Sequence, residues 1–570
     1  MTTMRPATVT GAGGLNAPAR RQWARTETRV AIGLAILLGI LVLLPILAVL
    51  SAALREPAGL SARFIVNVLS STRVLTNTLF IGASTTLCAV AIGGGLALVL
   101  TRIATPGRAL LEQIVILPLY VTPLLTAIAW SWLGSPRSGI LNLLGAAAGL
   151  PPMVDLHSAG GVVFVAALAY APVAFLLIAG ALKAMDPALE DSARIHGATA
   201  VAAFRRVTIP LVLPATLGAA ILIFVQAIGL FSVPAVLGMP SGFYVAGTEI
   251  YRLLSSYPPR IGQAAGWGFV LLVFTALLVW LQAVILNRWS FVTVTGKAFR
   301  PRLLSPGRWG GALAGLAWLY VALAVALPIL TLVWAALVNF ITADPRLMAF
   351  DLRHFSYVLF SYPKTFIATR NSLVLAALAA TAICGLSLLI GWCVVRGRSR
   401  AAGLLDQVSM MPLAIPPMVL ALGILWTYVG VRWLPIYGTI GILLLAYVTH
   451  YLPIGVRASA GALRQLHPEL EDAARVSGAG LLATLRRVVL PLVRPTMVAT
   501  WTLLFVLCLQ EVSSSILLYS SVSMVLSVAV FDLWEAGNVN ALAALSVLQL
   551  AITFAVLLLV SGWRRREVGA

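Results

Sequence analysis

The sequence predicts an all-α polytopic membrane protein of about twelve transmembrane helices, arranged as two parallel six-helix repeats. Three observations predict it. Of 570 residues, 60% are hydrophobic and only 10% charged, with mean hydropathy +0.99; a soluble domain carries about 25% charged residues. Apolar runs of about 20 residues, the length of one bilayer crossing, recur along the chain. One charged segment occurs twice. Residues 187–214 read PALEDSARIHGATAVAAFRRVTIPLVLP and residues 468–495 read PELEDAARVSGAGLLATLRRVVLPLVRP, identical at 16 of 28 positions at a constant offset of 281.

The elements follow in order. Residues 1–29 are polar, without apolar periodicity, and are expected to be a disordered cytoplasmic tail. The run at 30–54 is longer than a signal-peptide core of about 7–15 residues and reads as a retained first span. The other spans of the first half are placed at 74–101, 109–133, 161–183, 207–233 and 264–287. Those of the second half are placed at 309–338, 368–395, 404–430, 438–461, 488–517 and 541–563. Residues 30–287 form the first half, with its charged loop at 184–206. Residues 288–308 form a basic cytoplasmic linker. Residues 309–563 form the second half, with its loop at 462–487, and 564–570 are a second cytoplasmic tail. No sizeable extra cytoplasmic domain is expected at either end.

The net charge of +21 raises nucleic-acid binding as a class, and the placement of the charges excludes it. Basic residues sit in short clusters between apolar runs: Arg20, Arg21, Arg25 and Arg29; Arg288, Lys297, Arg300, Arg302 and Arg308; Arg396, Arg398 and Arg400; Arg564, Arg565 and Arg566. They fall on every second loop, the positive-inside pattern, which puts both termini and both charged segments in the cytoplasm. Cys88, Cys384, Cys393 and Cys508 lie in apolar runs without a Cys-x-x-Cys pair and read as small hydrophobes. No cluster has metal-ligand spacing.

The halves match beyond the repeat. Asn77-Thr78-Leu79 aligns with Asn371-Ser372-Leu373, and Gln113 and Pro118 with Gln407 and Pro412, all at an offset of 294. Six spans separate the copies, so both have one orientation, as in a duplication about the membrane normal. The asparagines are expected to cap their helices. Trp130, Trp132, Trp426 and Trp433 are expected to anchor external span ends.

Each copy of the charged segment opens a helix. Asp186 is placed to cap the first, with Pro187 at the first helical position, and Pro468 takes that position in the second. Glu190, Asp191, Glu471 and Asp472 fall near the helix start, where the dipole favours negative charge. Glu190–Arg194 and Glu471–Arg475 have the spacing of i,i+4 ion pairs. Gly197 and Gly478 stand where a left-handed turn needs glycine. A second helical stretch carries Arg205 and Arg206, or Arg486 and Arg487, before Pro210 or Pro491 opens the next span. A short polar-rimmed helix outside the membrane suits docking into a groove on a soluble partner; the plain alternative is a solvated loop between spans.

These segments resemble the EAA loop of permeases in binding-protein-dependent ABC importers, whose pattern is Glu-Ala-Ala, three residues, Gly, nine residues, then Ile-x-Leu-Pro. The triplets here are Asp191-Ser192-Ala193 and Asp472-Ala473-Ala474, with Gly197 and Gly478 at the stated spacing. Asp replaces Glu in both, Ser replaces Ala in the first, and the distal elements are Ile209-Pro210-Leu211 and Leu490-Pro491-Leu492. The resemblance covers about 60–563. It implies a type I importer fold, a bacterial inner-membrane location and coupling residues Glu190, Asp191, Ala193, Gly197, Arg205, Arg206, Glu471, Asp472, Ala474, Gly478, Arg486 and Arg487. It also implies a periplasmic substrate-binding protein and a cytoplasmic ABC ATPase, expected as a homodimer since one chain supplies both docking helices. The chain has no Gly-x-x-x-x-Gly-Lys-Ser/Thr, so ATP and magnesium are expected on the ATPase, with no cofactor on this chain.

Residues 229–263, with Phe231-Ser232-Val233-Pro234 and Ser256-Tyr257-Pro258-Pro259, and the run from Gln510-Glu511-Val512-Ser513 to Asp532-Leu533 are similar to the ferric-iron branch of these permeases. Iron(III) is therefore the expected cargo, with thiamine, phosphonate, polyamine, hexose phosphate, sulfate or another small solute as alternatives. Glu511 is placed inside the eleventh span, as a hydrated path residue or as a group bonded to span ends at the external face. Its matched position is Leu230. His450 and Tyr451 are candidates for the same path, though a packed, hydrogen-bonded role is the simpler one for His450. An ion-coupled secondary transporter would need several embedded ionisable residues and no docking helices; a membrane-integral enzyme would need a catalytic constellation.

Overall fold

The computed structural model describes residues 17–56, 59, 60, 66, 68, 70–288, 303, 307–339, 349–397, 400–431 and 433–568. Among them ten continuous helices are long and apolar enough to cross a membrane, and two bent helix pairs bring the spans to twelve. Among the described residues the one strand pair, Arg55–Glu56 with Gly59–Leu60, is a small hairpin after the first span.

The third and ninth spans, expected at 109–133 and 404–430, are broken. Arg108–Tyr120 meets Pro123–Gly134 at 93°, and Ala401–Ala414 meets Pro417–Tyr428 at 110°. The breaks are matched: Thr122 and Pro123 lie 294 residues before Pro416 and Pro417. A proline supplies no N–H and disfavours helical backbone in the residue before it. Thr122 is extended at φ −61°, ψ 136° and caps the new helix by accepting from Leu124 N.

Elsewhere proline widens the helix rather than breaking it. A single π turn precedes Pro45, Pro210, Pro328 and Pro491, at Gly39–Leu43, Phe204–Thr208, Ala322–Ala326 and Leu485–Val489. The extra residue in the turn accommodates the proline ring and its missing bond. Pro210 and Pro491 therefore do not open their spans. The helices run on through them, as Val201–Ile228 and Leu481–Leu509.

Several boundaries move. Helix begins at Ala17, inside the tail expected to be disordered, because Ala17–Leu38 is rich in helix formers and packs along Arg400–Met410; residues 1–16 lie outside the described residues. The last helix runs from Val539 to Val568, through the expected 564–570 tail. The linker 288–308 falls mostly on residues 289–302 and 304–306, outside the described residues. The fifth and eleventh spans end early, at Ile228 and Leu509, each followed by an irregular turn.

Within each half the second, fourth and fifth spans pack together: Thr72–Arg102 with Ala159–Ala184 and Ile209–Ile228, and Pro363–Arg396 with Ile440–Gln465 and Leu490–Leu509. The first span of each half crosses over. Leu44–Leu54 packs on Pro417–Tyr428 of the second half, and Leu327–Leu337 on Pro123–Gly134 of the first. A Cβ on Gly423 would meet Pro45 O at 2.4 Å, so the first crossing needs a glycine. The halves are contiguous in sequence but interlocked in packing.

Asn77 and Asn371 do not cap helices; both lie inside them. Asn77 Nδ2 donates to Tyr244 O at 3.0 Å, and Asn371 Nδ2 to Val522 O and Met524 O at 2.9 and 3.0 Å. Beside them Thr78 Oγ1 and Ser372 Oγ accept from Ala246 N and Leu526 N. These bonds secure two matched short helices, Ala246–Ser255 and Leu526–Glu535, on the face opposite the charged loops. Trp130 is buried edge-on against Phe164, so it is a core residue rather than an anchor, while Trp433 is exposed.

Candidate functional site

Two regions gather the candidate residues: the charged loops and a central cavity. In each loop a short helix, Pro187–Ile195 or Glu469–Val476, ends in a left-handed glycine. Asp186 accepts from Ala188 N at 2.9 Å, the expected cap. Gly197 has φ 87° and Gly478 φ 82°. The turns are identical: Gly197 N donates to Arg194 O and Ala198 N to Ala193 O, and Gly478 N to Arg475 O and Ala479 N to Ala474 O. Ala193 and Ala474 thus supply the carbonyls that close the two turns.

The expected i,i+4 ion pairs do not form. Glu471 turns inward, 3% exposed, and its Oε1 accepts from Arg396 Nε at 2.7 Å and its Oε2 from Trp392 Nε1 at 2.9 Å. Glu190 also turns inward, accepting from Thr208 Oγ1 at 2.6 Å and lying 3.5 Å from Arg102 Nη1. Arg102 and Arg396 end the second and eighth spans, 294 residues apart. A buried partner in low dielectric outweighs a surface neighbour, whose pairing is worth only about 0.2–0.5 kcal/mol. Arg475 pairs instead with Asp472, at 3.1 Å. The two glutamates hold their helices to the membrane body and do not face outward.

What faces outward was missed in the sequence. Leu189, Ile195 and Val201 are exposed in the first loop, and Leu470, Val476 and Leu482 in the second, each pair 281 residues apart; Ile195 is 83% exposed. Arg205, Arg206, Arg486 and Arg487 are exposed on the π turns. Asp472 is exposed and Asp191 partly so. The signal was available: three apolar residues recur at the repeat offset within otherwise polar segments.

The central cavity, about 330 Å³, lies between the halves. The bent pairs line it from both sides with Pro118, Thr122 and Pro123, and with Ile415, Pro416 and Pro417. Glu511, His450 and Tyr451 all line it. Glu511 differs from expectation in its placement, since it follows the end of the helix Leu490–Leu509 rather than sitting inside a span. Its carboxylate accepts from Tyr451 Oη at 2.6 Å, Ser514 N at 2.9 Å and Ser514 Oγ at 3.1 Å. Its carbonyl accepts from Ser527 Oγ at 2.6 Å. The buried charge is thus held by three donors.

Most of the lining is matched between halves, and some of the polar groups are not. Tyr170 corresponds to Tyr451 at the offset of 281, and both line the cavity. His450 corresponds to Ala169, Gln510 to Gly229 and Glu511 to Leu230. The second half carries the carboxylate and the imidazole, while the first supplies Thr122, Tyr170, Gln226 and Ser232. No Lys or Arg appears among the described lining residues, so the cavity has one carboxylate and no fixed cation. Tyr170 was missed, although the same offset finds it.

On the far side of the cavity from the loops, Tyr251 and Phe531 meet edge-on at 5.9 Å, with Phe231 at 5.3 and 5.6 Å from them. Tyr251 Oη donates to Glu535 Oε1 at 2.9 Å, joining the halves. Burial and the Glu535 carboxylate push the Tyr251 phenol up, so it remains a donor.

A family model described as binding-protein-dependent transport system inner membrane component matches residues 89–291 and again 383–566. The chain is 26% identical over 461 residues to a putative ferric transport system permease protein, FbpB 1, of Haemophilus influenzae, covering 79% of this chain and 70% of the relative. It is 25% identical over 497 residues to a ferric transport system permease protein, FbpB, of Actinobacillus pleuropneumoniae, covering 85% and 70%. It is 28% identical over 509 residues to a probable ABC transporter permease protein, y4fN, of Sinorhizobium fredii, covering 86% and 87%. Among solved structures, a bacterial ABC transporter involved in import of the acidic polysaccharide alginate aligns with TM-score 0.37 and 20% identity, over 48% of this chain and 93% of that one.

Proposed function

The chain belongs to the family of binding-protein-dependent transport system inner membrane components, and from that premise we propose that it carries iron(III) inward while a separate cytoplasmic ATPase does the work. It is a multi-pass permease of an ABC importer, with two permease halves fused in one chain. The observation that supports the ATPase docking most directly is the matched pair of loops. Each presents the same exposed apolar triad beside two exposed arginines on a helix fixed inward by a glutamate. An exposed apolar patch rimmed by charge is the surface of a protein–protein contact. Two copies in one chain suit an ATPase homodimer, with ATP and magnesium held on that partner. Asp191, Asp472 and the four arginines then form the polar rim of the contact, and both termini lie on the same cytoplasmic side. A periplasmic binding protein would deliver cargo to the opposite face, where Ala246–Ser255 and Leu526–Glu535 lie.

For the cargo, the ferric relatives and the cavity agree. A phosphonate, sulfate or hexose phosphate would meet a carboxylate and no cation in the cavity, an arrangement that repels anions. A cation gains from Glu511, and a hard trivalent ion suits its oxygen atoms. The test is ATP-dependent uptake of radioactive iron into vesicles holding the permease, its ATPase and the iron-loaded binding protein. Uptake that requires all three supports the reading. Uptake of thiamine or a polyamine in place of iron would overturn the cargo, and uptake without the ATPase would overturn the mechanism.

A further inference from the structure

The matched tyrosines give the cavity a donor set that neither half could build alone. Tyr451 Oη is bonded to the Glu511 carboxylate at 2.6 Å. Tyr170, on the facing helix Ala159–Ala184, lines the same cavity, its Oη donating to Gln226 O at 3.5 Å. The lining holds no cysteine or methionine among its described residues, so beside the His450 imidazole its strong donors are oxygens, a carboxylate and two phenols. Such hard oxygen donors select hard cations over soft ones. Glu511 is 8% exposed and is fixed by Ser514 and Ser527, so its position is set before any cargo arrives.

Resting on the reading of iron(III) as cargo, we propose that Glu511, Tyr451 and Tyr170 form a way-station for the bare ion, stripped of its carrier's ligands, with Tyr451 binding as a phenolate. On coordination the Tyr451 O–H bond breaks, its electron pair stays on oxygen, an Fe–O bond forms and one proton leaves to water. Iron stays trivalent throughout. The charge of the bound ion stabilises the phenolate oxygen that it meets. Three protein donors leave the coordination sphere open to water, so the ion is held weakly enough to move on.

The test uses the full permease with its ATPase in lipid nanodiscs, and iron(III) nitrilotriacetate as probe. A phenolate-to-iron charge-transfer band is expected in the visible spectrum, which carboxylates and nitrilotriacetate alone do not give. Tyr451→Phe should abolish the band and weaken iron binding about tenfold or more. Tyr170→Phe should weaken binding and leave the band. Each change removes one oxygen and keeps the ring, and an unchanged melting midpoint checks the fold. Glu511→Gln, of the same shape, should also weaken binding about tenfold or more. No band in the unaltered protein, or a band that survives Tyr451→Phe, overturns the site. Iron uptake without the band strikes the site alone. Absence of iron uptake strikes the cargo reading, and the site with it.

Discussion

Arg396 Nε lies 2.7 Å from Glu471 Oε1, and the same guanidinium donates through Nη2 to Leu463 O and Leu466 O at 3.2 and 2.8 Å. One arginine therefore joins the end of the eighth span, the end of the tenth and the loop helix. The matched Arg102 approaches Glu190 only to 3.5 Å and reaches Met185 Sδ at 3.6 Å. Trp392, which bonds to Glu471, corresponds to Leu98, so the first loop lacks that bond. The second loop is the more firmly tied.

Breaking the two ties should expose the difference. Arg396→Ala leaves a buried carboxylate short of its cation and is expected to cost about 3–5 kcal/mol. Arg102→Ala should cost less, about 1–3 kcal/mol, since its pair is longer and Thr208 still bonds Glu190. The melting midpoints of the two purified variants check this. Equal falls would remove the asymmetry.

Gly197 and Gly478 are required for backbone conformation, because no atom lies within 4 Å of a Cβ built on either. Gly197→Ala and Gly478→Ala should each cost about 1–2 kcal/mol, the penalty of left-handed backbone. Asn at the same position should cost less than Ala. Thermal unfolding of the isolated permease gives the order. If Leu proved far worse than Ala there, crowding rather than conformation would be the cause.

Ile195 and Val476 are mostly exposed, at 83% and 68%, so charging them should leave the fold alone. Ile195→Asp with Val476→Asp is expected to lower capture of the ATPase by about a hundredfold, as for paired interface anchors worth about 1–2 kcal/mol each. The melting midpoint of the free permease should not change. Full capture by the double variant would place the docking surface elsewhere.

Tyr251 and Phe531 occupy matched positions, 280 residues apart, and touch where the two short helices meet. Transport past them requires the pair to part. Cysteines at the two positions, joined by a short reducible crosslinker, should stop uptake, and dithiothreitol should restore it. Undiminished uptake in the crosslinked protein would show that cargo takes another route.

The topology was legible because it depends on local runs and on a repeat that a single sequence displays. The glycine turns were legible for the same reason: a left-handed residue after a polar helix has few chemical solutions. The broken spans were not. Pro172, Pro214, Pro453 and Pro495 sit inside continuous helices, whereas the helices turn sharply at Pro123 and Pro417. Whether a membrane helix bends or breaks at proline depends on the neighbours and cavity that satisfy the freed carbonyls, which sequence spacing does not report. Glu511 was found as a rare acid in an apolar region, but its place after a helix end depended on the turn that Ser514 and Ser527 hold.

Apolar period, charge placement and the offset of 281 established two parallel six-span halves with a short charged helix on each, since those are properties of segments. The folded chain settled which way each segment faces. Glu190 and Glu471 had arginines four residues on, yet they bond to Arg102 and Arg396, because a partner held in a buried site loses little to water, whereas a surface pair competes with solvent at every moment. The same folding turned Leu189, Ile195 and Val201 and their counterparts outward and brought Tyr170 to the cavity that Tyr451 and Glu511 share.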